Sequence, residues 1–481
     1  MKEEKIQRIE QKFKKSIKRE MKKAHINNAL HLIEGCANFL YATNICYVDE
    51  ELESYIGELS SVFGSVEWGT ISKETIIFYD NFGFDHRGLA EIYLKALVKN
   101  YRVVYLAKQK FEKNVPTLKK IVQDNGGNVY WLKHEQNDYI ETIKEMYKCV
   151  ADVAPEKFIF YSTPDDVCGV TLLSLIYSCT QVVQINLTDH AFWLGTKWID
   201  LCIEFREYGG NISKEYRNIE KNKIAVLPYY PLINHEYEFM GFPFDKKPEN
   251  KVIFSGGSLY KTLGDGNKYY KIVEYILEKD KDVIFWYAGG GDDRELNKLI
   301  RKFPSRVYHT AERKDLFQII QNCYFYLSTY PVLGGLMLQI VAEAEKIPLT
   351  LRHSNVGDGI LLNQDKLGIE FDTMEELLLE IDRLLSDEKY LKAKQKRMSG
   401  NVITEDDFSV RLISILNGEC RKREFMHLNV DKLRDVYIEN TNISVVSECI
   451  ARREFIYMGI RYFPVYFGVG AFYRLFAKMK K

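Results

Sequence analysis

The spacing of apolar positions divides the chain into stretches of different character. Residues 1–24 are governed by charge: ten basic residues (Lys2, Lys5, Arg8, Lys12, Lys14, Lys15, Lys18, Arg19, Lys22 and Lys23) stand against four acidic ones (Glu3, Glu4, Glu10 and Glu20). The segment predicts a charged helix whose outer face is either simply solvated or set against anionic lipid. Ala29–Tyr41 reads as an apolar helix and Glu50–Leu59 as another. From Glu74 the pattern changes to short apolar runs separated by helical segments. Thr75–Tyr79, Arg102–Leu106, Asn128–Leu132, Phe158–Tyr161, Val182–Asn186 and Leu201–Phe205 are the expected strands, with a helix at Leu89–Lys99 after the first. Runs that are continuously apolar rather than alternating belong to strands covered on both faces, so the pattern predicts βαβ units and a parallel sheet.

A stretch rich in Pro, from Pro228-Tyr-Tyr-Pro231 to Lys247-Pro248, interrupts the series and reads as a linker. A second series follows it: Lys251–Phe254, Asp282–Tyr287, Arg306–Tyr308, Tyr324–Leu327, Ile347–Leu351 and Gly368–Phe371 as strands, and Glu375–Leu385 as an amphipathic helix. The expected organisation is an N-terminal helical segment (1–73), a first Rossmann-like domain (74–230), a linker (231–250), a second Rossmann-like domain (251–420) and helices that return to the first domain (421–481). Two doubly wound sheets in tandem predict an α/β protein with a central cleft at the carboxyl ends of its strands. The end of the chain, Tyr462-Phe-Pro-Val-Tyr-Phe-Gly-Val-Gly-Ala-Phe-Tyr473, is aromatic and is followed by Arg474, Lys478, Lys480 and Lys481. That composition suits either an interfacial helix or docking on the protein's own surface.

Composition narrows the classes. Lys+Arg and Asp+Glu are both 67 in 481 residues, a formal net charge of zero, which argues against a nucleic-acid partner. The nine Cys form no CxxC pair, and buried reduced thiols are the expected state. The N-terminus has no signal-like apolar region, and no uncharged apolar run reaches the ~18–20 residues of a spanning helix, so a cytoplasmic protein is expected.

Several loops after strands carry chemistry. Phe254-Ser-Gly-Gly-Ser-Leu-Tyr-Lys261 brings Gly256 and Gly257 to a strand end with a lysine close behind. Glycines let backbone approach an anion and the lysine adds a compact positive charge, although the spacing is not that of a P-loop. Ala288-Gly-Gly-Gly-Asp-Asp293 is a second glycine loop after a strand. In Ser328-Thr-Tyr-Pro-Val-Leu-Gly-Gly-Leu-Met-Leu-Gln339, Gly334 and Gly335 open a helix and expose its N–H groups and positive dipole end, a ready diphosphate site. Gln339 and Glu343 stand one turn apart on that helix, within expected reach of ligand hydroxyls, although a surface carboxylate is the plainer reading of Glu343. Thr188-Asp-His-Ala-Phe-Trp-Leu-Gly195 puts Asp189 and His190 just past a strand, where a His can deprotonate a hydroxyl near neutral pH. Asp80-Asn-Phe-Gly-Phe-Asp-His-Arg-Gly88 offers His86 and Arg87 either to an acceptor or to an ordinary βα turn.

Taken together, the two-domain layout, the Gly-Gly loop ending in Lys261, the Gly334-Gly335 helix start and Lys346-Ile-Pro-Leu349 resemble glycosyltransferases of the GT-B fold, in particular bacterial enzymes that build capsular and other surface polysaccharides. The Asp189-to-Gly195 string also resembles the segment bearing the catalytic-region His in relatives of the protein O-GlcNAc transferase type. The likeness spans roughly residues 74–400. It departs from the retaining subgroup in lacking the first of two paired glutamates and the Arg before the phosphate-loop lysine.

The resemblance implies a nucleotide-sugar donor, UDP-linked, and a glycan or lipid-linked acceptor. It implies that Gly256, Gly257, Lys261 and the amides of Gly334, Gly335 and Leu336 hold the donor diphosphate. His309 and Thr310 would border the base, with Gln339 and Glu343 nearby. His190 with Asp189 would act at the reacting sugar or the acceptor hydroxyl, and His86 and Arg87 would face the acceptor. It implies no cofactor and no metal, so Asp165-Asp166 and Asp292-Asp293 are not read as metal sites. Transfer to a protein side chain, a non-catalytic binding or scaffold role on the same fold, and sugar-nucleotide epimerisation remain the alternatives. A peripheral contact with the inner face of a membrane is a further expectation.

Overall fold

A computed structural model describes residues 3–84, 88–134, 138–352, 362, 367–419, 424–440, 447 and 456–479. It divides into two units, Met1–Leu227 with Ser409–Lys481, and Pro228–Phe408. In the first unit three helices, α1 (Glu3–Lys22), α2 (Ile26–Thr43) and α3 (Glu50–Ser60), precede β1 (Ser72–Asp80). There follow α4 (Leu89–Leu97), β2 (Arg102–Lys108), α5 (Pro116–Asp124), β3 (Asn128–Leu132), α6 (Tyr139–Val153), β4 (Pro155–Tyr161), α7 (Val167–Ile176), β5 (Gln181–Asn186), β6 (Leu201–Glu204), α8 (Glu207–Glu215) and β7 (Ile224–Val226). Their sheet is parallel throughout, in the order β3-β2-β1-β4-β5-β6-β7. The order reverses between β1 and β4, so the loops leaving their carboxyl ends diverge there.

The second unit contains β8 (Lys251–Gly256), α9 (Lys268–Lys279), β9 (Val283–Ala288), α10 (Arg294–Lys302), β10 (Val307–Thr310), α11 (Leu316–Gln321), β11 (Phe325–Leu327), α12 (Gly335–Glu343), β12 (Pro348–Leu351), β13 (Glu370–Phe371), α13 (Met374–Ser386) and α14 (Glu388–Lys396). Its sheet is also parallel, in the order β10-β9-β8-β11-β12-β13, with the reversal between β8 and β11. All six residues of β9 are buried, as expected for a central strand covered on both faces. Among the described residues, helices α15 (Glu405–Leu416), α16 (Asp431–Asn440), Ile456–Tyr462 and Pro464–Met479 follow.

The structure differs from the sequence expectation in four places. Helix α1 carries, beside its charged outer face, an apolar stripe that was not singled out: Ile6, Ile9, Phe13 and Ile17 are buried in the core of the first unit. The short strand β7 carries no pattern long enough to have been expected. β10 runs on to Thr310, so His309 and Thr310 are strand residues. The stretch 231–250 has no helix or strand but is not a free linker. Phe242 and Phe244 pack on Trp286 with ring centroids 6.1 and 6.3 Å away, and the Met240 N–H donates to Asp315 at 2.8 Å. Among the described residues, no helix is long and apolar enough to cross a membrane.

Candidate functional site

In the second unit the glycine loops after β8 and β9 interlock. Gly257 adopts φ 127°, a conformation open to glycine, and its carbonyl accepts from the Tyr287 hydroxyl at 3.0 Å. Opposite it, a Cβ on Gly289 would lie 1.8 Å from the Gly257 oxygen, so only glycine permits the approach. The Leu259 N–H donates to the Gly290 carbonyl at 2.8 Å, which fixes the start of the turn Leu259–Thr262. That turn carries Lys261, a buried lysine 8% exposed. Its carbonyl accepts from the Val332 N–H at 3.2 Å, which ties it to the segment leading into α12.

The consequence is a juxtaposition of charge and helix end. A Cβ placed on Gly334 would lie 3.8 Å from the Lys261 Nζ. Gly334 is the N-cap residue of α12, and no side chain caps that helix. The first N–H groups of a helix have no intrahelical partner and carry the positive end of its dipole. Lysine ammonium, first-turn amides of α12 and glycine backbone therefore converge beyond the carboxyl ends of β8 and β11, the switch point of this sheet. The φ of Gly334 is −105° and a Cβ there would make only ordinary contacts. The fold itself does not demand glycine at this position, whereas an anion beside Lys261 needs the open space.

The other residues expected around this site divide. His309 meets the same loops: its Nε2 lies 2.8 Å from the Gly289 carbonyl, which can only accept, so Nε2 carries the proton. Thr310 Oγ1 accepts from the Trp286 indole at 3.0 Å. Leu336 and Gly335 are half-buried in the first turn of α12. Gln339 is fully buried, and its amide donates to the Tyr229 carbonyl at 2.6 Å, so it anchors the start of the unit. Glu343 is exposed at the last residue of α12, about 12 Å along the axis from the helix start and away from Lys261.

In the first unit the segment after β5 is held by buried charge. Asp189 is fully buried and ion-paired with Arg206, whose Nη2 donates to Oδ1 at 3.0 Å and whose Nε donates to Oδ2. Burial opposes the Asp189 charge, but the Arg206 guanidinium and the hydrogen bonds from His190 and Arg206 hold its carboxyl well below the usual range. His190 Nδ1 lies 3.3 Å from Asp189 Oδ1, and the His190 side chain is 38% exposed. A carboxylate only accepts, so Nδ1 donates and the lone pair of the neutral ring sits on Nε2. Asp189 has no exposed surface to offer a substrate. Its part is to orient His190.

Residues that sequence reasoning did not single out support this arrangement. Arg217, 2% exposed, donates to the carbonyls of Thr188 (2.9 Å), Asp189 (3.1 Å) and Ala191 (2.7 Å). Its guanidinium also lies 5.3 Å from the Tyr47 and Trp193 ring centroids. Asn186 donates to both Glu204 carboxylate oxygens, at 2.9 and 3.0 Å. Burial pushes the Glu204 carboxyl up, against the neighbouring charge of Arg217. Glu53 of α3 accepts from the N–H groups of Gly195 (3.0 Å), Thr196 (2.9 Å) and Lys197 (3.0 Å) and from the Thr196 hydroxyl (2.9 Å). Asn44, just past α2, donates to the His190 carbonyl at 2.9 Å. No local signal marked these partners, whose hydrogen bonds reach across as many as 146 residues. His86 and Arg87 lie outside the described residues.

No protein-family model matches the chain, and no curated protein matches it. Solved structures do. A mutant of the Thermobaculum terrenum O-GlcNAc transferase is 12% identical over 89% of this chain and 82% of that one, with a TM-score of 0.51. A glycosyltransferase from Rickettsia africae is 11% identical over 73% of this chain and 98% of that one, TM-score 0.51. A Listeria monocytogenes protein described as a UDP-N-acetylglucosamine 2-epimerase is 10% identical over 74% of this chain and 100% of that one, TM-score 0.50. At such identities the likeness establishes architecture and not activity. With two parallel α/β sheets, each reversing strand order at its centre, the chain has the fold of GT-B glycosyltransferases and their epimerase neighbours.

Proposed function

We propose that the chain is a glycosyltransferase that moves a sugar from a UDP-linked donor to a glycan or lipid-linked acceptor of a bacterial surface polysaccharide. The observation that carries the reading is Lys261 Nζ set beside Gly334 at the uncapped start of α12. An anion there meets a full positive charge and a helix dipole together. Gly256, Gly257 and the first-turn amides of α12, at Gly335 and Leu336, line the same diphosphate site, and His309 and Thr310 border the base. In the transfer, the acceptor oxygen bonds to the anomeric carbon as the bond from that carbon to the diphosphate breaks. His190 Nε2 takes the acceptor proton. The departing diphosphate keeps the bonding electrons, and Lys261 and the α12 dipole stabilise that charge, where other transferases use a divalent ion.

The test is a thermal-shift series with UDP-, GDP-, CMP- and dTDP-sugars. A UDP-sugar should raise the melting temperature of the wild type, since a ligand that binds only the folded state stabilises by about 2.7 kcal/mol at one hundred times its Kd. Lys261→Ala should lose that rise while melting normally without ligand. If none of the donors shifts the wild type, the chain is a binding or scaffold protein on a transferase fold. Release of an altered UDP-sugar without any acceptor identifies an epimerase instead.

A further inference from the structure

Among the described residues, the C-terminal helices leave a set of large apolar side chains exposed. The helices are anchored on α1: the Phe463 ring lies 4.4 Å from Phe13, the Tyr462 hydroxyl donates to the buried Glu20, and Arg461 Nη2 sits 3.6 Å from the same carboxylate. Outside these contacts, Ile456 (44%), Tyr457 (63%), Ile460 (55%), Val465 (71%) and Leu475 (63%) stand in solvent. Ile456, Tyr457 and Ile460 share one side of the short helix. Val465 and Phe472 (59%) are seven residues apart, so they share one side of the longer one, and Leu475 lies about one turn beyond Phe472. Large side chains exposed together at this level mark a binding surface rather than ordinary scatter.

The charge around that face selects its partner. From Ile456 to Lys481 the sequence has no acidic residue. Helix α1, on which these helices dock, exposes Lys5, Arg8, Lys12 and Lys15 on a side that flanks its buried stripe. Lys12 Nζ lies 5.2 Å from the Phe463 ring centroid, so the basic helix borders the apolar one directly. A second copy of the chain brought against this face would bring the same positive charges with it. A surface that is apolar inside and negatively charged at its rim satisfies both features, and that is an anionic lipid bilayer. The helix Pro464–Met479 is 16 residues, about 24 Å, and contains an arginine and a lysine, so it lies along such a surface rather than through it.

We infer that the outer face of the C-terminal helices, with the basic side of α1, seats the protein on an anionic membrane surface. The inference stands apart from the transferase reading, because it needs neither donor nor turnover. The test is cosedimentation of the full chain with vesicles of pure phosphatidylcholine and of phosphatidylcholine mixed with phosphatidylglycerol. Wild type should pellet with the anionic vesicles only, and added salt should release it. The double variant Arg8→Glu/Lys15→Glu should lower that binding by well over tenfold, at about fivefold per basic charge near the surface. A second variant, Ile460→Ser/Leu475→Ser, should lose vesicle binding with unchanged circular dichroism and melting temperature. Wild type that ignores anionic vesicles, or variants that bind them as well as wild type, would overturn the inference. So would a wild-type dimer in light scattering that Ile460→Ser/Leu475→Ser converts to monomer, since the face would then be a contact between copies.

Discussion

Removing Glu53 tests how the His190 segment is held. The carboxylate is 3% exposed and accepts four hydrogen bonds, from the Gly195, Thr196 and Lys197 N–H groups and the Thr196 hydroxyl, all at 2.9–3.0 Å. Glu53→Ala leaves those donors facing protein. A bond to an ionised acceptor is worth about 1.5–3 kcal/mol, and each orphaned donor carries a further desolvation cost. Against this, burial opposes the Glu53 charge and pushes its carboxyl up, and the substitution relieves that cost. Four donors orphaned at about 1–3 kcal/mol each, less the relieved burial of the charge, leave a cost of about 3–5 kcal/mol. At roughly 2–4 °C per kcal/mol, the melting transition of the first unit should fall by at least about 6 °C. Glu53→Gln should cost about half as much. Oε1 can still accept from Gly195 and Thr196, but the amide nitrogen is set against the Lys197 N–H. Calorimetry of the full chain reads both variants, and donor affinity in the second unit should stay at the wild-type value. If Glu53→Ala melts within about 1 °C of wild type, the four-donor cradle is not what holds this segment.

The remaining predictions concern the site and the helix anchor. His190→Ala should abolish turnover with melting and donor affinity unchanged; wild-type rates would remove His190 from the mechanism. Gly334→Ala should fold like wild type, because its Cβ makes only ordinary contacts, yet weaken donor binding at least about tenfold in calorimetric titration by filling the space beside Lys261. Burial opposes the charge of Glu20, but hydrogen bonds from Tyr462, Asn28 and His25 and the nearby Arg461 hold its carboxyl at about 2, below the 4.5 of an unperturbed glutamate. A depressed carboxyl stabilises the fold above its unfolded value and loses that contribution as pH falls. Proteolysis of the C-terminal helices should therefore rise between pH about 4.5 and about 2 in wild type, and Glu20→Gln should flatten that dependence while making the helices more labile at neutral pH.

Much of the architecture was legible because burial on both faces writes itself into sequence. Thr75–Tyr79, Asp282–Tyr287 and Tyr324–Leu327 are nearly unbroken apolar runs, and a strand covered on both sides tolerates little else. The loops holding Gly256, Lys261 and Gly334 were legible for a related reason: glycines beside a strand end or a helix start are local requirements of backbone geometry. β7 escaped notice because three residues carry no period. The buried stripe of α1 escaped because fourteen charged residues in 1–24 outnumber and mask the period of Ile6, Ile9, Phe13 and Ile17.

What tertiary structure alone decided is which of these local features meet. Lys261 and Gly334 lie 73 residues apart, and only the pairing of β8 with β11 brings the ammonium to the start of α12. Asp189 reads as one half of a catalytic pair in sequence, yet Arg206 and full burial turn it into a brace for His190. Gln339 reads as a ligand contact, yet it is committed to the Tyr229 carbonyl. A sequence states the period and polarity of each segment, because those follow from the solvent each face will meet. It does not state which distant donor satisfies a buried acceptor, because that pairing exists only once the sheet has set its strand order.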